Sequence, residues 1–397
     1  MARYHHISIA VPMMEEEENI PLLINMLRQQ THKNFTLYCC INQEEIGEDV
    51  SNPIYLNNQR TISLLQEVDD IDIRIIDRST PGLGWTGKKK GVGWARKLLF
   101  ARIMDEMDLD EIVVSLDADT QFSSSYLSCI LEAMNSHPEW SAIAVPYYHP
   151  LSGKESQDRA MLRYECYMRH YLINLLLIDN PYAFSALGSA MAFPLWAYKR
   201  VGGITPMQAG EDFYLMQKFA KTGVVGNYLS ECVRPQGRVS YRVPFGTGPA
   251  IAKGVDSMDS TYPFYSEKFF KEVGETFARI PDLFGCDCEL PMSAFLRQQL
   301  KADDLWSPLR SNFKNVELFS HAAIEKIDGL RILQFLRQKS IGATSSIHNL
   351  ISFCNNHGIN ISKDFSFTHS DLDSLIWLRQ QLFEWEMHLR QSTDKMK

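Results

Sequence analysis

Two rhythms of apolar residues alternate along the first 230 positions. Short continuous apolar runs suit strands buried on both faces. The stretches between them repeat apolar residues every three or four positions, as helices do. The runs are HISIAVP (6–12), FTLYCCI (35–41), IDIRIID (71–77), EIVVSL (111–116) and SAIAVPYY (141–148). After the first run, Ile20, Leu23, Ile24 and Leu27 form a helical stripe. Asn19 can cap that helix, Pro21 fits its first turn, and the preceding glutamates suit the positive end of its dipole. Val92, Ala95, Leu99 and Ile103 mark a second helix, and a long helix is predicted near 158–178. GEDFYLMQKFAKTG (210–223) predicts a helix with Glu211 and Asp212 in its first turn and Gly223 at its end. VPFGTGPAIAKG (243–254) has the composition of a Gly/Pro-rich loop. Strands alternating with helices predict an α/β fold, a mostly parallel sheet flanked by helices. Ligands of such sheets lie at the carboxyl ends of the strands. Beyond about residue 290 strand signals fade. The expected organisation is therefore an α/β domain over 1–260, a connecting segment over 261–289 and a mainly helical C-terminal appendage over 290–397.

Composition narrows the function class. The formal net charge is −8, so there is no overall basic field for nucleic acid. Eight cysteines spread through the chain suit a reducing compartment rather than a disulfide scaffold. Cys286 and Cys288 lack a second pair at zinc spacing. The first strand begins almost at once, with no long apolar segment of a signal peptide before it. YLINLLLI (171–178) is shorter than the roughly 20 apolar residues a bilayer requires. The expectation is a cytoplasmic protein without a transmembrane segment, with peripheral attachment to a membrane left open.

Three motifs carry candidate chemistry. VVSLDADT (113–120) places Asp117 and Asp119 just past a buried strand. Such a pair can cap a turn, or hold Mg²⁺ or Mn²⁺ together with substrate phosphates. PGLGWTGKKKGVGWARK (81–97) contains G-x-G-x-x-G at Gly82, Gly84 and Gly87. As a dinucleotide fingerprint it sits too late in the chain, and the next strand-end acid, Asp117, comes too far after it. Glycines followed by Lys88, Lys89 and Lys90 suit a diphosphate instead, through backbone N–H groups and positive charge. Finally, Glu211 and Asp212 open a helix, where the dipole favours ionised carboxylates; such a group can accept a proton from a hydroxyl.

The order of these parts resembles a family 2-type glycosyltransferase of the GT-A fold. VPMMEEEENIPLLINMLRQQTHKNFTLYCCIN is similar to that family's opening, VVSLDADT to its D-x-D, and YKRVGGITPMQAGEDFYLMQKFAKTG to its V-G-G…E-D segment. GWTGK (84–88) resembles a motif of some members. The resemblance covers about residues 6–230. It implies a hexosyltransferase-like enzyme with a UDP- or GDP-sugar donor, Mn²⁺ or Mg²⁺, and attack on the donor, with inversion, by the hydroxyl of a glycan or lipid-linked acceptor. Asp119 becomes the direct metal ligand; Asp117 touches the donor ribose or the metal through water. Asp212 becomes the general base, with Glu211 on the acceptor side. Pro12 and Glu16 match the nucleotide-contacting opening, and Gly87 and Lys88 the donor loop. Asn42 stands where the family places an Asp, as a substitute contact to the base; Met14 and Glu15 depart from the family's Tyr-Asn. The processive Q-x-x-R-W motif is absent. Rival readings are a sugar nucleotidyltransferase, whose Gly/Lys loop would follow the first strand, and a non-catalytic sugar-nucleotide or glycan-binding module.

Overall fold

The computed structural model describes residues 3–47, 49–238, 246–257, 262–342 and 346–394. It divides into two compact units. The first comprises Met1–Met161 and Phe184–Asp256, the second Leu162–Ala183 and Ser257–Lys397.

The first unit is built on seven strands: β1 (Ile7–Met13), β2 (Phe35–Asn42), β3 (Ile73–Arg78), β4 (Ile112–Ser115), β5 (Trp140–Ala144), β6 (Met191–Pro194) and β7 (Val224–Gly226). They form one sheet in the order β3-β2-β1-β4-β6-β5-β7. β3, β2, β1 and β4 run parallel; β6 is antiparallel to both its neighbours, β4 and β5, and β7 is parallel to β5. The sheet is thus mixed, with its parallel half in the first 120 residues. β1 and β4 are buried along their whole length, which is why they read as continuous apolar runs.

The unit's helices are α1 (Ile20–Arg28), α2 (Pro53–Gln66), α3 (Val92–Glu106), α4 (Tyr126–Ser136), the start of α5 (Glu155–Leu177), α6 (Leu195–Arg200), α7 (Glu211–Thr222) and α8 (Thr247–Asp256). α3 packs on β1 and β2, and α7 on β5 and β7. The α3 stripe of Ala95, Leu99, Phe100 and Ile103 joins Tyr38, Phe193, Leu215 and Phe219 in one buried cluster.

Several expectations change. Thr247–Asp256, expected as loop, is helical. Its proline, Pro249, falls in the first turn, where a missing N–H costs little; residues 243–245 lie outside the described residues. Asn19 does not cap with its side chain; its amide instead donates to Glu16 Oε2 at 2.6 Å. The expected connecting segment contains α9 (Glu267–Ala278) and belongs to the second unit, as does Leu162–Ala183.

The second unit continues with α10 (Ser293–Leu300), α11 (Ser307–Asn312), α12 (Val316–Lys326), α13 (Gly329–Lys339), α14 (Ser346–Asn356) and α15 (Leu372–Asp394). Within it, fully buried charges tie α5 to α15. Arg169 binds Glu165 and Glu386, and Arg390 binds Glu386 at 2.8 Å. Such groups persist in a core only when paired. Among the described residues, no helix is long and apolar enough to cross a membrane.

Candidate active site

The winding direction of the parallel strands reverses between β1 and β4, and a crevice is expected outside their carboxyl ends. After β1 the chain turns through Glu15, at φ 57°, and buries Glu16. After β4, Leu116 extends the ladder by donating to the Ala10 carbonyl, and a turn closes with Thr120 N–H donating to the Asp117 carbonyl at 3.0 Å. Asp117 and Asp119 flank the buried Ala118 in this turn. Their side chains differ in exposure, 42% for Asp117 and 11% for Asp119.

A buried arginine connects this turn to α7. Arg96 Nη2 donates to Asp117 Oδ1 at 2.6 Å, and its Nη1 donates to Glu211 Oε1. Arg96 and Glu211 are both almost wholly enclosed. Two glycines make the approach possible. A Cβ on Gly93, in the first turn of α3, would meet the Met207 carbonyl oxygen at 2.2 Å, so glycine lets α3 lie against the backbone leading to α7. A Cβ on Gly188 would meet the Arg96 guanidinium at 2.2–2.4 Å. The Gly188 carbonyl also accepts from Ser115 Oγ at 2.7 Å, which ties this support to β4. Sequence reasoning missed Arg96. The signal was its place on the stripe Val92, Arg96, Leu99, Ile103, since a charge on a buried helix face requires partners.

Asp212 lies beside this pair. Its Oδ1 accepts from the Phe213 N–H at 2.7 Å. Loss of hydration and then the Glu211 charge push its carboxyl up to about 7, against the opposing pull of Arg96 and of backbone N–H groups from Phe213 and Gly188. The helix dipole alone would have kept it ionised well below neutrality; burial beside a second carboxylate outweighs that. A carboxylate poised near neutrality suits proton acceptance better than a fully acidic one.

Glu16 and Asp119 share another arginine. Arg238 Nη2 pairs with Glu16 Oε1 and stands 3.3 Å from Asp119 Oδ2. Among the described residues, no group of three His, Cys, Asp or Glu side chains is arranged to hold a metal. A divalent ion here would rest on Asp117 and Asp119 and complete its shell with phosphate and water. That donor set fits Mg²⁺ or Mn²⁺, which commonly use one or two carboxylates.

The remaining candidates divide. Pro12 is buried in β1, in register with Cys40. Asn42 is buried and committed: its Nδ2 donates to the Met13 carbonyl at 2.8 Å, and its Oδ1 accepts from Trp85 Nε1 at 3.0 Å. It therefore joins the ends of β1 and β2 and anchors the loop that follows β3. That loop is not a helix-start phosphate cradle. Gly82 and Gly84 both donate to Glu45 Oε2 at 3.0 Å, so the protein's own carboxylate takes these N–H groups. α3 begins only at Val92, past all three glycines, which also removes the dinucleotide geometry. Gly87 and Lys88 are exposed, and among the described residues no hydrogen bond or ion pair joins Lys88 to the acidic groups.

No protein-family model matches the chain, and no curated protein matches it. Among solved structures it is similar to S. aureus TarS 1-349 in complex with UDP-GlcNAc, with 10% identity and a TM-score of 0.43 over 99% of this chain and 92% of that one. It is also similar to the mannosyltransferase PcManGT from Pyrobaculum calidifontis in complex with GDP-Man and Mn²⁺ (11% identity, TM-score 0.41, 96% and 87% covered). A third is glucosyl-3-phosphoglycerate synthase from Mycobacterium tuberculosis in complex with Mn²⁺, UDP and glucosyl-3-phosphoglycerate (14% identity, TM-score 0.35, 56% and 70% covered).

Proposed function

We propose that the protein is a metal-dependent glycosyltransferase of the GT-A type that moves a sugar from a UDP- or GDP-sugar to an acceptor hydroxyl with inversion. The observation that carries this reading is the single buried guanidinium of Arg96 linking Asp117, at the strand-end turn, to Glu211, next to the proton-poised Asp212. A site for a charged leaving group and a site for a proton acceptor are thereby held at a fixed spacing.

In this mechanism Asp119 and Asp117 would hold a divalent ion together with the donor diphosphate. The ion would neutralise charge on the departing diphosphate. Asp212 accepts the acceptor hydroxyl proton while the oxygen bonds to the anomeric carbon and the bond from that carbon to the diphosphate breaks. Glu211 orients the acceptor side and holds Arg96. Pro12 and Glu16 flank the nucleotide, Gly87 and Lys88 meet the donor from the loop, and Asn42 acts through Trp85 by fixing that loop. The acceptor in this reading is a glycan or a lipid-linked molecule. The similar solved structures hold UDP-GlcNAc, GDP-Man or UDP, but the reading for this chain rests on its own site. A sugar nucleotidyltransferase would need a Gly/Lys loop after β1, where this chain has Glu15–Glu18.

The test is a thermal-shift panel of UDP-, GDP- and dTDP-sugars with and without Mn²⁺, followed by donor hydrolysis on any binder. Saturation at a hundredfold excess over Kd stabilises the fold by about 2.7 kcal/mol. Stabilisation by a nucleotide sugar that requires Mn²⁺ is the expected result. No response to any donor, or tight NAD(H) binding in its place, overturns the reading.

A further inference from the structure

Two acids from different strand ends share one guanidinium. Glu16 follows β1 and Asp119 follows β4, so Arg238 spans the place where the strand order reverses. The two carboxylates keep only 8% and 11% of their side-chain surface, whereas Arg238 keeps 37%. Two poorly hydrated carboxylates converging on one point repel each other and need a cation between them. A partly exposed arginine supplies it at small cost, and a partly exposed pair is also the kind most easily broken.

The backbone favours such a release. Arg234 is held by a β-bridge to Gln121, two residues after Asp119, with N–H to carbonyl bonds in both directions at 2.8 and 3.0 Å. The bridge keeps this segment beside the strand-end turn. From Pro235 to Arg238 the chain belongs to no helix or strand. Arg238 can therefore change partner without disturbing an element of the sheet.

We propose that Arg238 is an exchangeable counter-ion. In the ligand-free site it neutralises Glu16 and Asp119; when a divalent ion and a nucleoside diphosphate enter, the ion takes over Asp119 and the guanidinium turns to the diphosphate. This deepens the glycosyltransferase reading and rests on it for the ligand class. Charge dictates the order of events. A divalent ion arriving alone must share Asp119 with a guanidinium, and two cations at one carboxylate repel. A diphosphate arriving alone meets two carboxylates and a guanidinium already engaged with both of them. Arriving together they suit each other, because the displaced guanidinium gains an anion to which it can donate bidentately. Arg238 thus makes metal and diphosphate bind cooperatively, and that coupling is reciprocal.

The experiment measures three affinities on the full chain: Mn²⁺ alone by electron paramagnetic resonance, UDP and GDP in EDTA by calorimetry, and each nucleotide with Mn²⁺. It compares the parent with Arg238→Ala, Arg238→Lys and Asp119→Asn. In the parent each ligand should tighten the other, within the roughly 5–150-fold range usual for coupled sites. Arg238→Ala should bind Mn²⁺ alone more tightly, by about tenfold, and UDP or GDP with Mn²⁺ more weakly by a similar factor, so the coupling largely disappears. Arg238→Lys keeps the charge and should retain part of the coupling, which guards against a variant that merely folds poorly. In Asp119→Asn, further loss of Arg238 should no longer alter Mn²⁺ binding. If Arg238→Ala weakens both ligands or changes neither while the parent binds both, Arg238 is an ordinary structural ion pair and only this proposal fails. If the parent binds neither Mn²⁺ nor either nucleotide, the glycosyltransferase reading fails and this proposal with it.

Discussion

Arg96 Nη2 donates to Asp117 Oδ1 at 2.6 Å from a side chain that is itself 4% exposed, while Nη1 holds the equally enclosed Glu211. The cation of this trio lies deeper than the acid it orients. Removing Arg96 would leave Glu211 buried without its partner, a change that typically costs about 3–5 kcal/mol. Arg96→Met should therefore lower stability in chemical denaturation by an amount of that order. Adding Glu211→Gln should restore part of the loss, giving a non-additive double-mutant cycle. Additive effects would show that the two side chains do not act as a pair.

Gly188 is the backing of that guanidinium. Gly188→Ala puts a methyl group into Arg96 Nη2, Cζ and Nη1, all within 2.4 Å of the new atom. The far end of an arginine can usually move aside, but here two carboxylates fix it. The substitution should push Arg96 off Asp117 and weaken Mn²⁺-dependent nucleotide binding by more than tenfold, with a smaller effect on the unfolding midpoint. Parental binding by Gly188→Ala would mean that the Arg96–Asp117 contact does not support the donor site.

Asp119 is the better enclosed of the two acids that follow β4. Asp119→Asn keeps the shape and removes the charge. Mn²⁺ affinity should fall by at least the roughly 10–100-fold seen when an outer partner of a metal ligand is lost. Calorimetry with UDP or GDP in EDTA should change less, because the metal contribution is already absent there. Unaltered Mn²⁺ binding would take Asp119 out of the metal site.

The parts of this fold that were legible in the sequence are those whose burial is local and repetitive. β1, β2 and β4 are apolar along their length, and α1, α3 and α7 carry stripes, so period alone places them. The strand-end position of Asp117 and Asp119 follows from the same pattern. α2 was not legible, because its buried face includes Asn58 and Thr61 and its apolar rhythm is diluted. β6 has four residues and enters antiparallel between β4 and β5, a tertiary choice that no local pattern records. The membership of Leu162–Ala183 in the second unit is hidden for the same reason: one continuous helix, α5, serves both units. In the site, strand ends disclosed the carboxylates, but their cations come from elsewhere. Arg96 could be found as a charge on an apolar stripe. Arg238 lies in an irregular segment and has no periodic signal at all.

In the second unit, His170 is fully buried among Phe264, Phe270 and Phe353, and among the described residues neither ring nitrogen has a hydrogen-bond partner. Burial holds its pKa down at about 3. An unfolded histidine takes up a proton below about 6.5, and the folded one does not until far lower. The unfolded chain then binds more protons, so this group erodes stability as pH falls from about 6.5 towards 3. His170→Phe removes both the titration and an unpaired polar group whose burial costs about 1–3 kcal/mol. The variant should be more stable than the parent at pH 5, and by a smaller margin at pH 8. Parallel stability-versus-pH curves for the two proteins would show that His170 does not titrate in this way.

Asp212 tests the chemistry through pH. Its folded-state carboxyl titrates near 7, raised by burial and by Glu211 while Arg96 opposes the shift; unfolded, it titrates near 3.9. Between those values the folded state holds the proton and the unfolded state has lost it. Stability therefore falls as pH rises from about 4 to about 7, and the cost is fully present above 7. Asp212→Asn abolishes that titration, so its stability should exceed the parent's at pH 8 and the two should converge near pH 4. Catalysis runs the other way. A base must be ionised to accept the acceptor proton, so parental kcat should climb with pH through about 7 and then level off. Asp212→Asn should lower kcat by about 10²–10⁴-fold, flatten that limb and leave donor Kd near the parental value, since in the proposed mechanism the donor rests on metal and diphosphate contacts. An Asp212 that merely opened α7 would be replaced tolerably by Asn, with kcat and its pH profile unchanged. Only a proton acceptor links the three results: higher stability above pH 7, loss of turnover, and loss of the ascending limb in the same variant.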